Sequence, residues 1–421
     1  MPGDDSPDAR DAEGPGPART GPTASPGFGW FFAGRSISLA GSFMSPVALA
    51  FGVLEITDSA AWLSAVTSAA LIPMVATMLL RGGIADRHRR DSVLCLTSLG
   101  AGMTQAGVAA LLLTRQPPAL LLPLAVVNGG HQGLTTPALR GIVSNLMTGQ
   151  DLQRASSLLA SARNTTRIVA PATAGLLTAS VGAGWAIAAD AVSFLLAAAC
   201  FARISLPDLP PRAVNAPAML TDLRDGWRYF SSQSWIWSVT LAFAAFNATD
   251  RGFWQILGPV IANHTIGARG WGLVLSAQGV GALMASLVLV KLPIMQRPMS
   301  PAVSSMALAT LPLILLGTGA NLYWLAAASF LTGVVADFFF TVVWETVNYT
   351  HVPERLLSRV GAHDEFWSSV SFPLGQLSAP ILAAAFGTAA VAITGAAAAS
   401  ATLSTSLLPS LHQIEIHHDD T

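Results

Sequence analysis

Residues Arg81 to Asp91 read RGGIADRHRRD, a charged stretch in an otherwise apolar part of the sequence. Seven of its eleven side chains are ionisable, whereas only 11% of the whole chain is charged. The segments before and after it are almost purely apolar. A dense group of arginines between two long apolar segments is typical of a loop that connects two membrane-spanning helices on the cytoplasmic side.

The composition of the 421 residues also indicates a membrane protein. Hydrophobic residues make up 52% of the chain, and the mean hydropathy is +0.54. A soluble domain carries about 25% charged residues, more than twice the share found here. The deficit of charge indicates that a lipid bilayer surrounds most of the surface. The net charge of -1 gives no electrostatic reason to expect a nucleic-acid partner.

A helix needs about 20 apolar residues to cross the hydrocarbon core of a membrane. Apolar intervals of about this length recur along the chain. They lie at 29–54, 62–83, 92–114, 118–139, 156–180, 184–203, 234–262, 269–291, 300–319, 322–349, 361–385 and 387–410. We therefore predict an all-α integral membrane protein with about twelve transmembrane helices in two six-helix halves. The predicted boundaries are a disordered tail at 1–27, an N-terminal half at 28–203, a middle loop at 204–233, a C-terminal half at 234–411 and a polar tail at 412–421.

The placement of basic residues predicts the orientation of these helices. Basic residues concentrate in the middle loop and in turns after even-numbered spans, at Arg81, Arg87, Arg89, Arg90, Arg140, Arg154, Arg203, Arg212, Arg224, Arg228, Lys291, Arg297, Arg355 and Arg359. In turns on the opposite side, only Arg115 and Arg269 are basic. Because basic residues favour the cytoplasmic side, we predict that both termini are cytoplasmic and that the chain is a multi-pass protein of the cell membrane.

The charged turn between spans 2 and 3 resembles the signature turn of the major facilitator superfamily, Gly-x-Leu-Ala-Asp-Arg-x-Gly-Arg-Arg. The matching residues are Gly82, Ile84, Ala85, Asp86, Arg87 and Arg90, whereas Arg89 and Asp91 depart from the pattern. The segments GRSISLAGSFMSPVALAFGVLEITDSA, NTTRIVAPATAGLL and HVPERLLSRVGAHDEF resemble the branch that contains enterobactin exporters and macrolide efflux proteins. This resemblance covers nearly the whole chain and implies a transporter.

The resemblance implies a conformational latch between the charged turn and the start of span 11. Span 11 is predicted to begin near Gly361, which would place Arg359 just before it and Asp364 in its first turn. A carboxylate near a helix N-terminus gains about 0.3–1 kcal/mol, a contact weak enough to break in every cycle. The alternative is that the arginines only set the topology. The complete latch would consist of Gly82, Asp86, Arg87, Arg90, Arg359 and Asp364.

Span 5 resembles the antiporter motif of the same family at Arg167, Ala170, Pro171 and Gly175. Small residues there and in span 8, where Gly279 and Gly281 lie, predict that these two helices approach closely. Pro171 predicts a bend. The resemblance favours export, whereas generic packing of Ala- and Gly-rich helices explains the pattern about equally well.

Ionisable residues inside spans are costly and are therefore candidates for function. Asp337 in span 10 is the leading proton carrier, because burial disfavours the charged form of a carboxyl group. Asp250 in span 7, Glu345 in span 10 and His131 in span 4 are further candidates. The alternatives are a buried hydrogen bond for Asp337, a structural ion pair for Asp250 and a satisfied core position for His131. Asp190 in span 6 is expected to pack against a neighbour.

Polar and aromatic side chains predict where a substrate cavity lies. Span 7 carries Asn247, Asp250, Arg251 and Trp254 at helical spacing on one face, and such a stripe should not face lipid. Span 4 departs from proton-coupled drug exporters, because Gly129 occupies the position of their arginine. The cavity candidates are Arg35, Asn128, Gln132, Asn247, Arg251, Trp254, Thr341 and Trp344. For the tryptophans, a position at the bilayer interface is the alternative.

The leading hypothesis for function is secondary active efflux of a drug, antibiotic, siderophore or other secondary metabolite, by proton antiport with alternating access. The alternatives are a proton-coupled uptake symporter of the same fold and a transport-inactive membrane sensor. The sequence lacks the motifs of zinc hydrolases, serine hydrolases and ATP-binding loops, so neither an enzyme nor an ATP-driven pump is expected. We expect no cofactor or metal, and a monomer whose partners are substrate, protons and the lipid bilayer.

Overall fold

The computed structural model describes residues 26–79, 89–147, 149–204, 216–289, 299–337 and 343–402. Within these ranges the chain consists of helices and short turns, without a strand. A helix satisfies its backbone N–H and C=O groups within its own segment, which is what a bilayer requires of a spanning chain. The all-α class predicted from the composition is confirmed.

Six helices form the N-terminal group: α1 (Pro26–Thr57), α2 (Ala60–Leu79), α3 (Arg90–Leu113), α4 (Leu121–Leu146), α5 (Gly149–Val181) and α6 (Ala183–Phe201). The connection from α5 to α6 is a single residue, Gly182. Gly182 has a φ of 97°, a conformation that residues with a Cβ rarely adopt. The glycine therefore lets the chain reverse direction between two long helices without a loop.

The middle helix α7 (Ala216–Ser232) precedes the C-terminal group, which is more interrupted. A π-helical turn, Asn247–Arg251, separates α8 from α9, and a 3-10 turn, Met306–Thr310, separates α11 from α12. Turns of the π type inside helices are frequent at functional sites. The group contains α8 (Ser234–Phe246), α9 (Gly252–Asn263), α10 (Gly267–Leu289), α11 (Met299–Ser305), α12 (Leu311–Gly317), α13 (Leu322–Asp337), α14 (Glu345–His351), α15 (Glu354–Phe386) and α16 (Thr388–Thr402).

In the described part of the chain, six helical segments are long and apolar enough to cross a membrane. They are Gly27–Thr57, Arg90–Leu113, Ala183–Phe201, Gly267–Val288, Met299–Gly317 and Arg359–Phe386. Large apolar side chains such as Met103, Trp185 and Ile381 are exposed on the outside of the helices, which fits contact with lipid. The chain is therefore a multi-pass membrane protein. Helices occupy each of the twelve predicted intervals, whereas the count of twelve spans and the cytoplasmic position of the termini stay predictions.

One end of the molecule has an apolar core that both groups share. The largest cluster of buried side chains combines Val53 and Leu63 of the N-terminal group with Ile256 and Leu316 of the C-terminal group. This end carries the turns that follow α1 and α9, and we call it the joined end. The shared core means that the two groups are packed against each other here.

At the opposite end each group has a core of its own. Phe28, Ile142 and Phe201 belong to a cluster within the N-terminal group. Ile236 and Val347 belong to a separate cluster within the C-terminal group. We call this the split end, and it is the end at which α1 begins and α8 begins. By the predicted orientation, the split end faces the cytoplasm.

Candidate functional site

Helices α5 and α10 form a close contact between the two groups. Gly272 packs against the backbone of Pro171 and against Gly175, so a side chain at either glycine would collide with the facing helix. A Cβ on Gly279 would lie 2.9 Å from the carbonyl oxygen of Arg167. Small residues thus allow the two backbones to touch, as in other membrane helix pairs.

A hydrogen bond reinforces this contact next to the proline of α5. The backbone N–H of Ala172 donates to Ser276 Oγ of α10 at 3.1 Å. Ala170 is buried nearby. Gly281, however, packs against the backbone of Phe330 in α13 and not against α5. The residues of the antiporter-like segment therefore lie at the contact between the groups, while their role in transport stays a prediction.

Gln376 of α15 forms a second connection between the groups, one that the sequence analysis missed. Ser64 Oγ of α2 donates to the Gln376 carbonyl oxygen at 2.6 Å, and Ser68 Oγ donates to Gln376 Oε1 at 3.3 Å. Gln376 Nε2 in turn donates to Gln255 Oε1 of α9 at 2.5 Å. Gln376 is only 2% exposed, so its two bonds with Ser64 and Ser68 are shielded from water, whereas its partner Gln255 is exposed. The only sequence signal is a set of isolated polar residues in apolar helices.

A contact also crosses the joined end, between the carboxylate of Asp58 and the ring of His264 at 3.4 Å, and it is an ion pair only when the imidazole is protonated. Both side chains are more than half exposed. An exposed pair of this kind contributes little to stability. The joined end is therefore held by a shared core, by helix contacts at small residues and by the hydrogen bonds of Gln376.

Asp364 does not lie in the first turn of its helix, and that prediction is wrong. Helix α15 begins at Glu354, directly after Pro353, so Asp364 lies almost three turns inside it. Its carboxylate accepts a hydrogen bond from Thr240 Oγ1 of α8 at 2.7 Å and one from Trp344 Nε1 at 3.0 Å. Asp364 thus connects segments of the C-terminal group to one another at the split end.

Arg359, the other predicted latch residue on α15, contacts the middle helix. Its guanidinium lies 3.5 Å from the carboxylate of Asp225, and its backbone packs against Gly226. Trp227 of α7 stacks near His363 and Trp367 of α15. The middle helix is thereby fixed to the C-terminal group.

The other half of the predicted latch is largely outside the described residues. Gly82, Asp86 and Arg87 lie outside the residues that the structure describes. Arg90 is the first residue of α3 and is half-buried. Neighbouring Arg89 forms an ion pair with Asp91 at 2.8 Å. Whether the turn touches Arg359 therefore stays a prediction.

Among the cavity candidates, Arg35 lies on α1, partly buried and near Arg163 of α5, whose like charge repels it. Neither guanidinium has a hydrogen-bond or ion-pair partner among the described residues. Asn128 of α4 has a buried Oδ1 atom without a hydrogen bond from the described residues, and Gln132 is exposed. That Arg35, Asn128 and Gln132 line a substrate cavity stays a prediction.

The predicted stripe on span 7 is not a continuous face. The π-helical turn Asn247–Arg251 changes the number of residues per turn and therefore the register between its two ends. Asn247 is buried, and its Oδ1 lacks a partner among the described residues. Trp254 packs against Trp271 with 4.6 Å between ring centroids. Trp254 also lines a small cavity with Phe246, Gln278, Met306, Ala309, Pro312, Ser329, Thr332 and Ala336.

The predicted proton carriers are mostly outside the described part of the chain. This holds for the side chains of Asp250, Asp337 and Glu345, and also for the cavity candidates Arg251 and Thr341. The backbone places Asp337 at the end of α13 and Glu345 at the start of α14. Trp344, a cavity candidate, is buried and donates to Asp364.

His131 packs inside the N-terminal group, since a Cβ on Gly100 of α3 would lie 2.5 Å from its ring. Asp190 is fully buried in the same group, and Gln105 Nε2 donates to its Oδ2 at 2.5 Å. Gln105 Nε2 also donates to Ser45 Oγ at 2.8 Å. Asp190 therefore packs against neighbours in α1 and α3, as expected. Among the described residues, no group of three or more His, Cys, Asp and Glu side chains is arranged to hold a metal.

The sequence matches known transporters over most of its length. The profile of the transmembrane secretion effector family matches residues 18–399. An enterobactin exporter of Shigella flexneri is 24% identical over 370 residues, which cover 85% of this chain and 84% of that protein. A staphyloferrin A transporter of Staphylococcus aureus is 22% identical over 271 residues, which cover 62% of this chain and 66% of that protein.

Solved structures of transporters share the fold. The crystal structure of the nucleoside transporter NupG has a TM-score of 0.74 at 14% identity, covering 90% of this chain and 98% of that chain. A bacterial homolog of the human lysosomal transporter Spinster, in an inward-facing and unoccupied conformation, has a TM-score of 0.66 at 13% identity, covering 91% and 95%. At these identities the likeness concerns the fold alone. The match of the family profile to most of the chain carries the assignment: the chain belongs to the transmembrane secretion effector family of major facilitator transporters, and it is a transporter rather than an enzyme.

Proposed function

We propose that this transporter exports a small organic molecule across the cytoplasmic membrane by proton antiport with alternating access. The observation that carries the proposal is the contrast between the ends: a core shared by both groups at the joined end, and separate cores at the split end. Two helix groups that touch at one end can rock about a site between them. Membership of a secretion effector family and similarity to an enterobactin exporter support the outward direction.

The contacts at the joined end are of a kind that can open. Interhelical hydrogen bonds in membranes contribute about 0.6 kcal/mol on average and at most about 1.7 kcal/mol. Gln376 and Ala172 form only a small number of such bonds between the groups among the described residues, and the Asp58–His264 pair is exposed to solvent. Opening this end requires the groups to separate at Gly175 and Gly272, where no large side chain interlocks them.

Closure of the split end is the second half of the proposed cycle. The charged turn, with Gly82, Asp86, Arg87 and Arg90, would then approach Arg359. Because Arg359 is already held by Asp225 of the middle helix, its guanidinium is positioned before the turn arrives. The antiporter-like residues Arg167, Ala170, Pro171 and Gly175 would form the part of α5 that separates from α10 as the joined end opens.

The N-terminal group favours an acidic group on the substrate. The charge of Arg163 repels that of Arg35, and no carboxylate among the described residues pairs with either one. Guanidinium groups bind carboxylates and other oxyanions through charge-assisted hydrogen bonds. A siderophore is the first class to test, since relatives are named for enterobactin and staphyloferrin A. Antibiotics and other secondary metabolites are the further classes.

The test uses inside-out membrane vesicles with an imposed proton gradient, acidic inside. A panel of labelled siderophores and antibiotics, in matched acidic and neutral pairs, is screened for accumulation. We expect accumulation of an acidic compound that an uncoupler abolishes, and loss of that accumulation in Arg35→Gln. As a control, Arg154→Gln changes an exposed arginine whose ion-pair partner among the described residues is Asp151, at 3.8 Å.

Each outcome decides between the candidate functions. Uncoupler-sensitive accumulation only in right-side-out vesicles would replace export with uptake by symport. Ligand binding without flux in either orientation would make the chain a transport-inactive sensor. Accumulation of neutral compounds, unaffected by Arg35→Gln, would remove the acidic group from the proposal while retaining export.

A further inference from the structure

Asp364 connects three segments at the split end of the C-terminal group. It lies inside α15 and is only partly exposed. One carboxylate oxygen accepts from Thr240 of α8, and the other accepts from Trp344, which directly precedes α14 at a π-helical position. The carboxylate is therefore the shared acceptor at the point where α8, α15 and the start of α14 meet.

No cation neutralises this carboxylate within the part of the chain that the structure describes. Both hydrogen-bond donors, a hydroxyl and an indole N–H, are neutral. The one charged neighbour that acts on it is Glu365, and two adjacent carboxylates repel each other. A carboxylate in these surroundings binds a proton more readily than one that is paired with arginine.

The other ionisable groups on the elements packed against α15 have different partners. Arg359 pairs with Asp225, and the His363 ring stacks near Trp227. His351 at the end of α14 packs against Trp235. Helix α7 adds exposed Arg224 and Arg228, while α2, α8, α9 and α16 carry no ionisable side chain. The side chains of Asp222, Asp250, Arg251, Glu345, Glu354 and Arg355 lie outside the described residues.

Protonation of Asp364 would change its hydrogen bonds directly. A carboxylate offers two acceptor oxygens, whereas a carboxylic acid carries an O–H donor on one of them. A proton that arrives from water at the split end binds one oxygen, and that oxygen then accepts more weakly from its donor. Protonation of the oxygen that faces Trp344 weakens that bond, because an indole N–H can only donate, whereas the Thr240 hydroxyl can reverse and accept the acid O–H. Protonation therefore loosens the start of α14 from α15 or reverses the bond to α8.

We propose that Asp364 is a proton-binding residue whose protonation state controls the contact of α15 with α8 and with the start of α14. The sequence analysis placed this residue in the latch, so the structure adds a carboxyl group to the candidates for proton coupling. The role of this protonation in transport rests on the proposed proton antiport. The binding of the proton does not, and it is measurable without any substrate.

The experiment is an infrared titration of the purified transporter in lipid nanodiscs, from about pH 9 to about pH 5, where exposed carboxylates stay charged. The signal is the C=O stretching band of a protonated carboxylic acid. We expect a band component that is lost in Asp364→Asn and retained in Asp190→Asn. Asp190 is the matched control, because it is also buried and receives only neutral donors, from Gln105 and Ser45.

Two further variants keep the proposal testable if Asp364→Asn does not fold. Thr240→Val and Trp344→Phe each remove one donor to the charged carboxylate, so the band should appear at higher pH than in the wild type. An unchanged titration in both variants would overturn the proposal, and so would a band that persists in Asp364→Asn but disappears in Asp190→Asn. Failure of export in vesicles, with the Asp364 band intact, would count against the proposed function only.

Discussion

The joined end and the split end of this transporter are held by different kinds of contact. Between the groups at the joined end lie the apolar side chains of the shared core, glycines, three serines and Gln376. Within the C-terminal group at the split end lie tryptophans and an arginine, which fix α7 to α15. An ion pair and tryptophan–histidine contacts therefore stabilise the docking within one group, whereas the apolar core, small residues and single hydrogen bonds make the contacts that have to separate.

The largest expected effect comes from filling the space between α5 and α10. Gly175→Leu places a side chain against the backbone of Ala268 and should cost about 1–3 kcal/mol of stability. Gly130→Leu is the matched control, because a Cβ there meets no atom within 4 Å. We expect a lower thermal unfolding midpoint for Gly175→Leu only, measured on purified protein in detergent. Equal midpoints would mean that the glycine contact does not hold the joined end.

A second variant removes hydrogen bonds at the joined end without adding volume. Gln376→Leu loses the bonds to Ser68 and Gln255, at about 0.6–1.7 kcal/mol each. We expect faster hydrogen–deuterium exchange in the first turns of α2 and unchanged exchange in α14. Gln153→Leu, at an exposed position of α5, is the control. Faster exchange at both ends would show general destabilisation instead of opening of the joined end.

The smallest expected effect belongs to the ion pair across the joined end. Asp58→Asn removes the charge but keeps a residue type that tolerates the φ of 46° at this position. The cost should stay below about 1 kcal/mol, and high salt should reproduce it in the wild type. The same exchange measurement on α2 checks this. If Asp58→Asn accelerated exchange in α2 more than Gln376→Leu does, the Asp58–His264 contact would be the stronger of the two.

The sequence predicted the helical intervals well, because apolar length is a property of each segment alone. It placed the start of the apolar span near Gly361, close to the observed Arg359, but it took that point for the start of the helix, because the first turns of α15 are polar and were counted as loop. Pro353 followed by Glu354 is a helix-start signal that was available in the sequence. Asp364 was consequently assigned to a helix terminus, while its position inside α15 gives it a different set of neighbours.

Contacts between spans could not be predicted from the sequence. Gln376 is an isolated polar residue in an apolar helix, and its partners Ser64 and Gln255 come from two other spans. Which residues face each other depends on the rotation and depth of each helix in the packed molecule. The π-helical turn in span 7 had the same effect, since it separates Asn247 from Trp254 on what a regular helix would present as one face.

The docking of α7 on α15 has a consequence for how the chain can be cut. Since α7 belongs to the C-terminal group, the eleven residues 205–215 are all that connect this group covalently to Ile204, the last described residue of the N-terminal group, and they reach at most about 40 Å. A gene divided within that stretch would encode two polypeptides, each with the complete core of its own split end. Assembly of the two in one membrane would then depend on the shared core of the joined end, and co-purification of the fragments would measure how strongly that core holds them.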